Sequence, residues 1–287
     1  MLGILLIDKP LGCTSHDVVH RLRKRLGTKR VGHAGTLDPM ATGLLVVAVG
    51  AATRFLQYLP LEPKEYLGEV TFGQSSTTYD SEGELSPAKP VPADLQTRLL
   101  ETGPKFTGLI EQLPPAFSAV KVAGKPLYAY ARKGEEVIRK PRTVHVGTLE
   151  ISAVSESVVK CRIVCSGGTY VRTIADDLGR SIGCGAYLSA LRRTRAGEFC
   201  VEQAVSLDLA GPEHLRTLAE ALPPMPMVEL NDRQTAAIRQ GQRIGFVATG
   251  VSRLVGLLDT AGSVFGVARV DGDELQPECV IPLEAAI

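Results

Sequence analysis

The sequence predicts an α+β fold followed by a small β-barrel, and three observations carry that expectation. Residues 44–49, Leu-Leu-Val-Val-Ala-Val, form an unbroken apolar run of strand length, which reads as a strand buried on both faces. Apolar residues at helical spacing recur between strand-like runs: Val18, Leu22 and Leu26, then Leu95 and Leu99, then Ile174, Leu178 and Ile182. Beyond the linker Pro223-Pro224-Met225-Pro226, short apolar segments at 254–258 and 264–270 are separated by glycine and aspartate turns, the pattern of a small barrel. A chain of 287 residues, 44% hydrophobic, has ample material for one large domain and a small one.

In chain order, residues 3–7 read as a short apolar strand ending in the turn Asp8-Lys9-Pro10-Leu11-Gly12. Thr14 or Ser15 caps the helix that follows, and Gly27 stops it. Residues 53–59 read as a short helix, and 64–73 as a partly alternating strand. The polar stretch 74–82 reads as a loop, and 92–101 as an amphipathic helix. Residues 142–152 and 157–165 read as a hairpin. Ser166-Gly167-Gly168 then leads into a helix that Thr169 can cap, and a further helix is expected within 202–222.

Six scattered cysteines include no Cys-x-x-Cys pair and have no histidine cluster beside them, which argues against a zinc site. Cys161 and Cys165 fall on one face of a strand and read as buried free thiols. No signal-like amino terminus and no membrane-spanning run is present, so a soluble, cytoplasmic protein of a reducing compartment is expected. Net charge is only +1, yet basic residues cluster in three places: Arg21 to Arg30, Lys121 to Arg142, and Arg192 to Arg195. Any one such run is ordinarily a solvated face; three in a near-neutral chain suggest basic patches set against acidic surface elsewhere.

The stretch from Gly32 to Gly43, rich in glycine, reads as a loop shaped around a ligand and abutting the buried strand. Asp38 is its only carboxylate. Asp-Pro alone is an ordinary turn initiator, whereas a rigidly supported loop acid also suits catalysis. Gly-His-Ala-Gly-Thr-Leu-Asp-Pro-Met-Ala-Thr-Gly-Leu-Leu, residues 32–45, closely resembles the catalytic motif of the bacterial tRNA pseudouridine-55 synthases, the TruB family. Further similar stretches follow in order: Lys9-Pro10, Tyr66 in its strand, 113–128, 169–179 and 185–194. The resemblance covers essentially the whole chain.

The resemblance implies a catalytic domain over 1–225 built on a mixed, largely antiparallel sheet with flanking helices. It also implies a basic thumb near 114–142 and a PUA-like RNA-binding domain over 226–287. Asp38 would be the catalytic carboxylate, paired with and kept ionised by Arg172. Tyr66 would lie under the uracil, Tyr170 would contact substrate, and Leu191 would line the uridine pocket. His33, in the same loop as Asp38, would fill the gap left by the flipped base; Lys9 would support the loop, and Asp80 would help order the site. Taken without the resemblance, Tyr66 is an ordinary packing residue, Lys9 a basic turn and His33 incidental, while Arg192 and Arg193 are structural or phosphate contacts. The substrate implied is tRNA, bound through its T-arm by a monomer with no guide RNA. The exchange of one glycosidic bond for another transfers no electrons, so no cofactor and no metal is expected. Two rivals are a non-catalytic RNA binder or chaperone on the same fold, and a sugar glycosidase, which would need a second acid. A chain ending near Pro224 is expected to fold if the barrel only extends the tRNA footprint.

Overall fold

The computed structural model describes residues 1–246 and 253–282, so part of the 226–287 range lies outside the described residues. The first half of the chain runs β1 (Gly3–Lys9), α1 (Ser15–Arg25), β2 (Val31–Ala34), β3 (Ala41–Val49), a 3-10 helix over Gly50–Tyr58, β4 (Lys64–Phe72) and α2 (Leu95–Thr102). Next come β5 (Gly108–Gln112), the short strands β6 (Lys121–Val122) and β7 (Lys125–Pro126), and α3 (Leu127–Ala131). Then follow β8 (Arg142–Ala153), β9 (Val158–Cys165), α4 (Val171–Ile182), β10 (Ala186–Ala196), β11 (Phe199–Cys200), β12 (Val205–Ser206) and α5 (Leu218–Ala221). The last part holds β13 (Met227–Glu229), α6 (Asp232–Arg239), β14 (Ile244–Gly245), β15 (Leu254–Leu258), β16 (Val264–Asp271) and β17 (Glu274–Val280).

The large sheet is mixed and mainly antiparallel, in the order β12-β1-β3-β10-β4-β9-β8-β5, with β2 on β3 and β11 on β10. Its two parallel pairs are β1 with β12 and β3 with β10. β3 explains why its sequence is apolar without alternation. Leu45, Val47 and Val49 face α1, meeting Val18 and Leu22. Leu44, Val46 and Ala48 face the other way, onto Phe55 and the carboxy-terminal sheet. Each face of the strand feeds a different core. On the far half of the sheet, Ile174, Leu178 and Ile182 of α4 and Leu95 and Leu99 of α2 cover β4 and β9. Cys161 and Cys165 are buried there as free thiols, pushed up by burial to about 12 and about 11.

The strands expected as a barrel form a five-stranded sheet, β13-β15-β16-β17-β14, with β13 parallel to β15 and the other pairs antiparallel. Val255, Leu257, Phe265, Val267 and Leu275 pack into the same cluster as Ile4, Leu6, Leu44, Val46 and Phe55. One apolar core therefore spans the linker.

Three local expectations change. Thr169 does not cap α4; its hydroxyl donates to Ser166 O at 2.9 Å, and the N-cap position falls to Tyr170. Residues 202–222 form 3-10 turns, β12 and the four-residue α5, because Gly211-Pro212 interrupts any longer helix. Residues 53–59 belong to a 3-10 helix that starts earlier, at Gly50. For α1, Thr14 is the cap: its hydroxyl accepts from Asp17 N–H while the Asp17 carboxylate accepts from Thr14 N–H.

Candidate active site

Asp38 sits in the loop between β2 and β3, and that loop is held from several sides. Ser15, buried at the start of α1, accepts from Leu37 N–H at 2.9 Å and donates to Leu37 O at 3.2 Å. Lys9 is fully buried; its ammonium donates to Cys13 O at 2.6 Å, Pro10 O at 3.0 Å and Pro39 O at 3.4 Å. Gly12 N–H also reaches Pro39 O, at 3.0 Å. Lys9 thus clamps the carbonyl next to Asp38, and burial lowers its pKa. From the sheet side, the buried Arg193 donates through Nε to Leu44 O at 2.7 Å and through Nη2 to Gly35 O at 2.9 Å. Gly43 lets the backbone of β10 come close at Arg193. Its φ is +96°, and a Cβ there would lie 2.3 Å from Arg193 O.

Arg172 is the hub. It lies in the first turn of α4, 4% exposed, and reaches three segments that are distant in sequence. Nε lies 3.0 Å from Asp38 Oδ2, an ion contact without hydrogen-bond alignment. Nη1 donates to Asp80 Oδ2 at 3.0 Å and to Thr78 O at 3.2 Å, and Nη2 to Phe117 O at 3.0 Å. A guanidinium suits this role because its donors are fixed in one plane. Asp80 is buried and further held by Thr78 Oγ1 and by Glu82 N–H at 3.0 Å. Its link to the site runs through Arg172, and it does not line the cavity.

That cavity holds about 240 Å³ and is walled by Asp38, Tyr66, Leu191, Tyr170, Arg172 and Lys64, among others. A larger groove of about 760 Å³ runs along the sheet past Leu67, Glu69 and Arg162, but the convergent acid, phenol and guanidinium are in the smaller one. Asp38 keeps 35% of its side chain exposed towards this space. Burial raises its pKa above the ordinary 3.8; Arg172 opposes that rise, and Asp80 adds to it. Arg172 therefore acts in the direction that favours the ionised carboxyl, against the larger effect of burial. Tyr66 is 8% exposed and sits directly across the β4–β10 pairing from Arg193. Burial raises the phenol's pKa and Arg193 pulls it back.

Leu191 enters the cavity from β10, level with Ala41 of β3. Tyr170 stands at the start of α4, where Gln112 accepts from its N–H at 3.0 Å and donates to its carbonyl at 3.3 Å; the Arg142 guanidinium lies 6.0 Å from its ring centroid. His33 is placed differently from expectation. It belongs to β2, not the loop, and does not line the Asp38 cavity. Its ring meets His16 edge-on at 6.3 Å, its Nδ1 is buried without a partner, and burial lowers its pKa. Sequence reasoning missed Ser15, Gln112, Ser118 and Lys64. Ser15 carried a signal as a candidate helix cap, and Ser118 lies within the similar stretch 113–128; Gln112 and Lys64 are single polar residues that nothing local marks. Among the described residues no group of three or more His, Cys, Asp or Glu side chains converges as a metal site would require.

Residues 23–171 match the profile described as TruB family pseudouridylate synthase (N terminal domain). Residues 172–232 match the tRNA pseudouridylate synthase B C-terminal domain, and 226–281 match Pseudouridine synthase II TruB, C-terminal. The chain is 46% identical over 290 aligned residues to a tRNA pseudouridine synthase B of Thermobifida fusca, covering 97% of this chain and 98% of that one. It is 40% identical over 297 aligned residues to its counterpart in Cupriavidus metallidurans, covering 98% and 94%. Among solved structures it superposes on a chain of a Cbf5-Nop10-Gar1 complex with a TM-score of 0.67 and 27% identity, over 99% of this chain and 86% of that chain.

Proposed function

The chain belongs to the TruB family of pseudouridylate synthases, and from that premise we propose that it isomerises the T-loop uridine of tRNA, position 55, to pseudouridine. The observation that supports the reading best is a carboxylate, Asp38, held on Arg172 at the edge of a small cavity floored by Tyr66 and Leu191. The reaction breaks the bond from uracil N1 to the anomeric carbon, turns the base, and joins the same carbon to C5. The uridine must first leave its stack, at a cost of roughly a few kcal/mol. Ionised Asp38 serves one of two routes, attack on the anomeric carbon or removal of a ribose proton, and both need a fixed carboxylate. Once C5 is bonded to the sugar it must lose its proton, and the Tyr66 phenol, buried under the base, is placed to relay it. A two-carboxylate glycosidase would need a second acid facing the cavity; Asp80 is spent on Arg172 instead.

Residues 1–225 act in this reading as the catalytic domain, 114–142 as a basic thumb over the T-arm, and 226–287 as a PUA-like domain extending the contact towards the acceptor stem. The enzyme works in the cytoplasm as a monomer without a guide RNA, its own basic thumb supplying the hold on tRNA. The test is a T-arm stem-loop carrying uridine tritiated at C5. Stoichiometric tritium release at the target position is expected; a purified chain that binds the stem-loop and releases none would refute the activity.

A further inference from the structure

One polar group in the wall of the Asp38 cavity has no part in the chemistry above. Ser118 is 5% exposed, and its Oγ is buried without any hydrogen-bond partner. Its backbone surroundings are, by contrast, tied down. Phe117 O accepts from Arg172 Nη2 at 3.0 Å, Ser118 O from Tyr128 N–H at 3.1 Å, and Val120 O from Leu127 N–H at 2.8 Å. The residue is positioned while its hydroxyl is left unsatisfied, an arrangement protein interiors rarely keep. Alanine would fit the same space without that cost.

We infer that Ser118 Oγ is a substrate-binding group that hydrogen-bonds the ribose 2′-hydroxyl of the flipped uridine, resting on the reading of Asp38 as the carboxylate at the anomeric carbon. One planar guanidinium holds both Asp38, through Nε, and the carbonyl preceding Ser118, through Nη2. Ser118 is thereby fixed on the Asp38 side of the cavity, while the uracil lies against Tyr66 and Leu191 from the sheet. The carbon bearing the 2′-hydroxyl is bonded directly to the anomeric carbon. A nucleoside that presents one to Asp38 presents the other to the same wall. Both hydroxyls donate and accept, so they can satisfy each other, and the contact lets the site tell RNA from DNA at the target nucleotide.

The test is a double-mutant cycle on binding in the Asp38→Asn protein, using T-arm stem-loops with uridine or 2′-deoxyuridine at the target. Ser118→Ala should weaken the uridine RNA about tenfold, and removing the 2′-hydroxyl should cost the Ser118 protein about the same. On the deoxy RNA the two proteins should bind alike. Since the hydroxyl has no partner in the free protein, Ser118→Ala should leave the thermal midpoint unchanged or raised. An equal deoxy penalty in both proteins, or a lowered midpoint, would overturn the contact. Tritium release by the wild-type chain reports on the parent reading separately, so a failure here is distinguishable from a failure there.

Discussion

Opposed influences act on the Asp38 carboxyl: burial and Asp80 push its proton on, and the Arg172 guanidinium pushes it off. Loosening that guanidinium should move the acid limb of activity to higher pH, because a carboxyl with a higher pKa loses its charge earlier as pH falls. Arg172→Lys, followed by single-turnover rates against pH, should show that shift; an unmoved limb would mean the rate reports another group. A second carboxyl gives a stability effect of defined sign. Asp176, on α4 and 3% exposed, pairs with Arg180 at 2.6 Å, yet burial lifts it to about 6. Its folded pKa lies above its unfolded one, so its contribution is complete below the ordinary 3.8 and is lost as pH rises through about 6. Asp176→Asn should flatten that stretch of the stability curve, by roughly 3 kcal/mol at most. For Tyr66, replacement by Phe keeps the ring and removes the hydroxyl to which the proposed mechanism gives the proton relay. Binding should survive while turnover falls about 10²–10⁴-fold; wild-type turnover would reduce Tyr66 to a platform. Asp38, Tyr66, Tyr170, Arg172 and Leu191 were legible in the sequence because each sits in a distinctive motif. The ties from Ser15 to Leu37, Gln112 to Tyr170 and Phe117 to Arg172 were not, because nothing local marks partners that distant.

At the scale of elements, periodicity read best where one face of an element meets one core, as in α1, α2 and α4. It also identified β3, whose uninterrupted apolar run reflects two cores on its two faces. The cap of α4 was misplaced by one residue, at Thr169, whose hydroxyl donates to Ser166 O, and the helix expected within 202–222 is only the four-residue α5. In the segment 114–142, Lys121 and Lys125 lie on a short ribbon, Arg132 ends the five-residue α3, and Lys133, Arg139 and Lys140 follow outside helix and strand. Arg132 lies over the Tyr128 ring, and Lys133 stands 4.0 Å from Glu135, an exposed contact too weak to hold it from a phosphate. Neutralising Arg132, Lys133 and Lys140 together should weaken tRNA binding and reduce the slope of log affinity against log salt by about two to three. An unchanged slope would place this segment away from the RNA backbone.

For the whole molecule, the linker at 223–226 separates two sheets but not two cores. Ile4, Leu6, Leu44, Val46 and Phe55 share a cluster with Val255, Leu257, Val267 and Leu275, so a chain cut after Pro224 would bare that face. Each large apolar side chain returned to water costs about 1.5–3 kcal/mol, so several together are comparable with the roughly 5–15 kcal/mol that holds a domain folded. The truncated chain should therefore be unfolded or aggregated by circular dichroism and light scattering, in place of the independent folding that composition suggested. A soluble truncation with a cooperative melt would contradict the shared core. Composition could reveal the linker because proline marks it locally; it could not reveal packing between segments some two hundred residues apart. All of these parts serve one carboxylate, and its role is open to a direct measurement. Asp38→Asn keeps the shape and removes the charge, so the protein should bind a T-arm stem-loop within about tenfold of wild type and release no tritium from its 5-labelled uridine. Measurable turnover by that purified variant would take Asp38 out of the chemistry.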